Sequence, residues 1–112
     1  MKIIKEKLTL DELNQMAERF EVMVKAVVDI DREIMAVDAE LHSDLEALLL
    51  QEGSKQASLW GINLYPQAQG EEFIEFDSMI NLRPAVGNRS RSVENEAIRK
   101  KITAIVLKRI PR

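Results

Sequence analysis

The sequence predicts an α+β domain, in which helices pack on one face of a largely antiparallel sheet. Segments with apolar side chains at every second position come in closely spaced pairs, and so short a connection allows only antiparallel pairing. Segments with apolar side chains at helical spacing lie before, between and after these pairs. The predicted order is therefore β-α-β-β-α-β-β-α, in one domain over residues 1–112.

The first half of the chain contains a short strand, a helix and a hairpin. The isoleucines at 3–4 predict an edge strand, and the Thr-Leu-Asp-Glu stretch at 9–12 is a capping box. The apolar spacing after that box predicts a helix over 10–20. Alternating β-branched residues predict a strand over 23–31, and a second strand runs from Ile34 toward Leu41.

The second half repeats this arrangement with a longer final helix. The Ser-Asp-Leu-Glu stretch at 43–46 is a second capping box, which predicts a short helix over 44–52. Two further strands are predicted over 58–65 and over 73–82, again as a hairpin. The final helix is predicted to begin after Ser92 as N-cap and to end at a proline near the C-terminus.

Composition excludes several classes of function. The chain has no cysteine and one histidine, which excludes disulfides, thiolate metal sites, cysteine nucleophiles and sites with two histidines from one chain. No apolar run exceeds four residues, and the N-terminus lacks the apolar stretch of a signal peptide. No carboxylate spacing matches a known metal-binding loop. We therefore expect a cytoplasmic protein without a membrane partner. We predict no metal site, and metal-dependent hydrolysis on carboxylates alone is the alternative that the residues leave open.

Charge is divided unevenly along the chain. Residues 1–82 carry a net charge of −10 and residues 83–112 carry +7, whereas the whole chain carries −3. Such asymmetry is typical of an anion-binding or nucleic-acid-binding surface, or of a basic helix that docks beside an acidic body. The isoelectric point near 5.2 and the small number of aromatic residues argue against a dedicated nucleic-acid binder.

The loop before the final helix is the most informative candidate site. Residues 83–91 combine arginines with small polar residues around Gly87. A helix N-terminus offers free amides and the positive end of a dipole, and arginine recognises phosphate and carboxylate groups bidentately. The alternative is that these arginines pair with Glu75 and Asp77 across the sheet. The predicted ligand-binding residues of this loop are Arg83, Asn88, Arg89, Ser90 and Arg91.

Two further places could contribute polar side chains to a site. Asp38, Glu40 and His42 alternate at period two, so they share a face if the strand continues that far. A carboxylate beside an imidazole can act as an acid–base pair, which makes Glu40 and His42 the predicted catalytic residues. Gly61 leaves space on a strand face for a ligand that Asn63 would line. The alternatives are a solvated acidic strand face and a bulge beside a buried tryptophan.

Three stretches resemble segments of a small family of prokaryotic proteins of unknown function, each about 110 residues long. They are residues 40–44, residues 60–66 and residues 81–90. The resemblance covers most of the chain, and it implies no activity, cofactor or catalytic residue. Relatives often have a glycine-rich run before the Glu-Leu-His segment, where this chain has Val-Asp-Ala at 37–39. This departure weakens a role for Asp38.

Several functions remain open on these residues. The first is a protein that binds a small molecule carrying phosphate or carboxylate, with or without catalysis and with no cofactor indicated. The second is an interaction or regulatory module, for example a homo-oligomer in which acidic and basic regions of two chains pair. The third is RNA binding through the basic C-terminal segment. If the two hairpins lie side by side, the three polar places converge on one cleft.

Overall fold

Five strands form one antiparallel sheet in the computed structural model, which describes residues 1–20 and 22–111. The strands are β1 (Lys2–Ile4), β2 (Val24–Asp29), β3 (Ile34–Val37), β4 (Leu59–Leu64) and β5 (Ile74–Glu75), and the helices are α1 (Leu10–Arg19), α2 (His42–Gln51) and α3 (Glu96–Arg109). The order across the sheet is β1-β3-β2-β4-β5, and all neighbours are antiparallel. The predicted fold class and element order are confirmed. Within the described ranges, no helix is long and apolar enough to cross a membrane.

Apolar side chains are buried on both faces of the sheet. The larger core contains Val24 and Val28 and is covered by α1 and α3. On the opposite face, Leu45 of α2 joins Val27 and Ala36 in a smaller core. Two helices thus share a face as expected, whereas α2 covers part of the other face. The reason is that β2 and β3 are mostly apolar along their length, so both faces of these strands need to be covered.

The predicted capping box of α1 is confirmed. The Thr9 hydroxyl accepts a hydrogen bond from the Glu12 backbone N–H at 3.1 Å, and Glu12 Oε1 accepts one from the Thr9 N–H at 3.2 Å. The Thr9 N–H, followed by Lys2, holds the pKa of Glu12 below its ordinary value. Two N–H groups that the helix leaves unpaired are satisfied in this way, so the box fixes where α1 begins.

The predicted extension of β3 toward Leu41 is wrong, and so is the second capping box. Asp38 has a φ of +76°, which lies outside the strand region and favours glycine. β3 therefore ends at Val37, and Asp38, Glu40 and His42 do not project from one strand face. α2 begins at His42, and its N-cap has no side-chain hydrogen bond.

The predicted start of the final helix is also wrong. Asn95 is the N-cap, because its Oδ1 accepts a hydrogen bond from the Ile98 N–H at 3.1 Å. Ser92 lies before the helix, where its hydroxyl oxygen accepts a hydrogen bond from Arg99 Nη2 at 2.7 Å. The arginine-rich loop and the first turn of α3 are thus separated by a further irregular stretch.

Residues of α3 attach the basic C-terminal segment to the acidic first half. Lys108 Nζ lies 3.1 Å from Glu33 Oε1, and both side chains are about half exposed, so this ion pair contributes little. Arg109 donates to the backbone carbonyl of Glu33 from Nε at 2.9 Å and from Nη2 at 2.8 Å. Part of the positive charge near the C-terminus is therefore used within the fold.

The strand predicted over 73–82 is much shorter than expected, since β5 ends at Glu75. Further along the chain, a side chain makes hydrogen bonds to β4 in place of strand backbone. Beyond β5, Asn81 Oδ1 accepts from the Gly61 N–H at 2.8 Å, and Asn81 Nδ2 donates to the Gly61 carbonyl at 2.9 Å. These are the two backbone groups that a longer β5 would have paired. Gly61 is required there, since a Cβ atom would lie 2.5 Å from Ser78 Cβ.

Asn81→Ala should lower the free energy of unfolding by about 2–5 kcal/mol, because it leaves two buried backbone groups without partners. Urea denaturation measures this loss. Asn95→Ala is the matched control: it removes an asparagine that caps an exposed helix end, and should cost about 1 kcal/mol. An Asn81→Ala loss no larger than that of the control would contradict the structural role of this amide.

Candidate functional site

Beside the N-terminus of α2, the sheet carries polar side chains in place of apolar ones. Lys25 on β2 lies directly opposite Asn63 on β4 in the strand register. His42, the first residue of α2, contacts β4 at the next residue along, Ile62. We call Lys25, His42, Asn63, Asp77 and Arg91 the polar cluster. The last two belong to the segment that Asn81 attaches to β4.

His42 is buried and held by a backbone carbonyl. Its Nε2 lies 2.7 Å from the carbonyl oxygen of Ile62. Burial lowers the pKa of His42 below its ordinary value, and the bond to Ile62 opposes this effect. The charges of Lys25 and Arg91 lower the pKa further, whereas Asp77 raises it. The imidazole is therefore neutral at pH 7, and these charged side chains lie near enough to act on it.

Arg91 is positioned by its own backbone and by a carboxylate. Its Nε lies 2.8 Å from Asp77 Oδ1 and its Nη2 lies 3.3 Å from Asp77 Oδ2. Its carbonyl oxygen accepts hydrogen bonds from the Ser78 N–H and from Asn81 Nδ2, both at 3.0 Å. The predicted structural pairing across the sheet thus holds for this arginine. Because the pair is half exposed, it orients the guanidinium more than it stabilises the fold.

Asn63 is almost fully buried, and only one end of its amide is paired. Its Nδ2 donates to Glu75 Oε1 at 2.8 Å and to the Asp77 carbonyl at 3.3 Å. Its Oδ1 has no donor among the described residues. Tyr65 also donates to Glu75 Oε1, at 3.0 Å, and burial followed by this carboxylate raises the pKa of the phenol. A buried amide oxygen without a donor is costly, so the site retains an unmet acceptor.

Lys25 is the functional candidate that the sequence analysis missed. It is partly buried on an inner strand, and the other lysines of the chain are exposed. It makes no hydrogen bond or ion pair with the described residues, apart from its long-range effect on His42. The available signal was a single cation between the apolar residues Val24 and Ala26. A single lysine in an alternating strand usually points to solvent, however, and how far it is buried depends on how the strands assemble.

Arg83 and Asn88, both predicted to bind a ligand, make bonds within the protein that hold the loop together. Arg83 donates to the backbone carbonyls of Ile80 and Leu59, and its guanidinium lies over the Trp60 ring, 4.6 Å from the centroid. Burial lowers its pKa. Asn88 Nδ2 donates to the carbonyls of Asn81 and Ser92, both at 2.7 Å, and its Oδ1 accepts from the Glu94 N–H at 3.0 Å. Their polar groups are largely occupied within the fold.

The remaining predicted site residues lie outside the polar cluster. Arg89 is exposed, its guanidinium has no hydrogen bond or ion pair with described residues, and its N–H donates to Glu94 Oε2 at 3.0 Å. Ser90 Oγ accepts from the Ser92 N–H at 3.2 Å. Glu40 is exposed and makes no hydrogen bond with the described part of the chain, including His42. The structure therefore does not join Glu40 and His42 as an acid–base pair.

Carboxylates outside the cluster serve the fold. Buried Asp29 accepts from the Ser54 hydroxyl at 2.6 Å and from the N–H groups of Asp31 and Arg32, both at 3.0 Å. Asp38 pairs with the Arg19 guanidinium. In residues 1–20 and 22–111, no group of three or more His, Cys, Asp or Glu side chains is placed to hold a metal ion.

Comparison with known proteins identifies the family of the chain. The family described as "Protein of unknown function (DUF5674)" matches residues 2–109, and the chain belongs to it. The resemblance seen in the sequence to an uncharacterised family of this size is thereby confirmed. No curated protein and no solved structure matches the chain.

The stability of the protein should fall as the pH drops below about 6.5. The unfolded chain protonates His42 near the ordinary pKa of 6.5, whereas burial keeps the pKa of the folded chain lower. Between the two values the unfolded state binds more protons, so the contribution of the neutral imidazole is fully present above 6.5 and is lost toward acidic pH. Urea denaturation between about pH 5 and pH 7.5 measures this dependence.

His42→Gln is the matched control for this titration. Glutamine keeps an N–H donor for the Ile62 carbonyl but has no proton to gain, and the chain contains no other histidine. The variant should show a flatter pH dependence between about 5.5 and 7 than the natural chain. Equal slopes for the two proteins would show that His42 is not responsible.

Proposed function

We propose that this family member binds a small anionic ligand, carrying phosphate or carboxylate, at the polar cluster. The observation that carries the proposal is Lys25, which is partly buried on β2 without a counter-ion among the described residues. Removing an ammonium from water is unfavourable unless an opposite charge or acceptors replace the lost hydration. An anion from solution would supply that charge. Lys25 thus acts as the principal cation of the proposed site.

Arg91 supports the proposal with hydrogen-bond donors that are already oriented. Asp77 engages its Nε and Nη2, so Nη1 is left for a ligand. Guanidinium donors match the geometry of phosphate and carboxylate oxygens. The backbone bonds at the Arg91 carbonyl keep this side chain in place before any ligand arrives, which reduces the entropic cost of binding.

The N-terminus of α2 contributes a weaker electrostatic term. α2 begins at His42, and Leu41 provides no side-chain cap, so the first N–H groups of the helix lack that partner. The positive end of the helix dipole therefore lies beside the polar cluster. Asp44 in the first turn offsets part of this field. Lys25 and Arg91 consequently carry most of the proposed attraction.

The arginine-rich loop has a role in this proposal, but only some of its residues act on the ligand and the others stabilise the loop. Arg91 faces the ligand, and Arg89, nearby in the chain, adds a positive charge that no described residue pairs with. Arg83, Asn88 and Ser90 shape the loop through bonds to other parts of it. The start of α3 is less suited to an anion, because the carboxylate of Glu94 lies beside it. We therefore place the ligand at Lys25, His42 and Arg91, beside the buried Asn63.

Thermal melting against inorganic phosphate, glycerol 3-phosphate, nucleoside monophosphates and short carboxylates tests the proposal. A ligand at a hundred times its Kd adds about 2.7 kcal/mol of stability, a rise of several degrees in Tm for a chain of this size. Lys25→Met keeps the length of the side chain and removes its charge, and it should abolish the rise. Because Lys25 has no counter-ion in the described part of the chain, the variant should fold at least as stably as the natural chain.

Lys101→Met is the matched control. It makes the same chemical change on the exposed surface of α3, where Lys101 has no hydrogen bond or ion pair with described residues. This variant should keep the full rise in Tm. An equal rise in the Lys25→Met protein would place binding elsewhere, and the absence of a rise with every probe would overturn the proposed function.

A further inference from the structure

The hydrogen bond of His42 determines which ring nitrogen a ligand can use. A carbonyl oxygen only accepts, so Nε2, at 2.7 Å from the Ile62 oxygen, carries the proton. In the neutral ring the lone pair is then on Nδ1. Nδ1 makes no hydrogen bond with the described residues. Among the described residues, the side-chain polar atoms that are both inaccessible to solvent and without a hydrogen bond are Asp38 Oδ1, Trp60 Nε1 and Asn63 Oδ1. Nδ1 of His42 is not one of them. Nδ1 is therefore an acceptor that is not sealed from solvent.

The Nδ1 acceptor lies near two positively charged side chains. Lys25 and Arg91 disfavour protonation of the ring, and burial acts in the same direction. Asp77, the acidic group that acts on the ring, is already engaged by Arg91. The site thus combines cations, which attract an anion, with a neutral nitrogen that needs a hydrogen-bond donor.

A bare anion satisfies only half of this arrangement. The charged oxygen atoms of a carboxylate or of a phosphate monoester dianion carry no proton and only accept, so they would face the Nδ1 lone pair without a proton between them. A hydroxyl group close to the anionic group would donate to Nδ1 while the anion stays with the cations. The Ile62 carbonyl prevents the ring from offering its proton-bearing nitrogen instead.

We infer that the ligand is a hydroxylated anion, such as a polyol phosphate or a hydroxy acid, whose hydroxyl donates a hydrogen bond to Nδ1 of His42. This inference rests on the proposed function, because it assumes that the polar cluster holds an anion. It assigns to His42 the recognition of the hydroxyl group, and to Lys25 and Arg91 that of the charge.

The tautomer can be tested on the unmodified protein without a ligand. The chain has one histidine, so a long-range ¹⁵N–¹H spectrum contains the ring signals of His42 alone. Above pH 7, Nδ1 should resonate as an unprotonated, pyridine-type nitrogen and Nε2 as a protonated, pyrrole-type nitrogen. A protonated Nδ1 would overturn the inference, whatever the protein binds.

Calorimetric titration with two matched probes tests the ligand class. Glycerol 3-phosphate and propyl phosphate share a three-carbon chain and a phosphate ester, but only the first carries hydroxyls. The natural chain should bind glycerol 3-phosphate about 3- to 10-fold more tightly, the effect of one neutral hydrogen bond. His42→Leu, which has no side-chain acceptor, should lose this preference, whereas Lys101→Met should keep it.

The outcomes separate this inference from the proposed function. Equal affinities for the two phosphates in the natural chain would overturn the hydroxyl contact and leave anion binding standing. A preference that persists in a folded His42→Leu protein would assign the hydroxyl to another residue and overturn the role of His42. Failure of both phosphates to bind would remove the proposed function and this inference together.

Discussion

The bonds between the Asn81 amide and both backbone groups of Gly61 are the interaction on which the polar surface depends. Together these bonds take the place of strand pairing. The chain can therefore depart from the sheet after β5 while the backbone N–H and carbonyl of Gly61 on β4 remain hydrogen-bonded. The same amide holds the Arg91 carbonyl, and Ser78 fills the space beside Gly61. Because of this attachment, the segment that carries Asp77 and Arg91 lies against β4.

The position of His42 follows from the second face of the sheet. Val27 and Ala36 make that face apolar at one end, and α2 covers them. At the other end β2 carries Lys25 and β4 carries Asn63, which no apolar helix face could cover without a large desolvation cost. α2 therefore begins where the surface becomes polar, and its first residue bonds to the β4 backbone. Packing of the smaller core thus places an imidazole beside a lysine.

Local signals in the sequence predict much of the fold and several site residues, whereas contacts between side chains and backbone groups far away in the sequence escape them. The Thr9 capping box and the alternation in β2 and β4 are readable because they depend on near neighbours. Residue type singled out His42, Asn63 and Arg91. No spacing reveals that Arg83 donates to the distant Leu59 carbonyl, or that Lys25 lies opposite Asn63. The prediction of a strand over 73–82 was wrong, because apolar and polar residues continue to alternate after β5 has ended. There the Asn81 side chain, and not a strand backbone, pairs with Gly61.

The most direct test of the account is a ¹H–¹⁵N correlation spectrum followed during titration with glycerol 3-phosphate. If the polar cluster binds this anion, the backbone signals that shift most are those of Lys25, His42, Asn63 and Arg91 and their neighbours, with saturation at one ligand per chain. Signals of α1 and of the C-terminal half of α3 should stay in place. Shifts concentrated in residues 83–89 and the first turn of α3, or weak shifts spread over all basic residues, would contradict it.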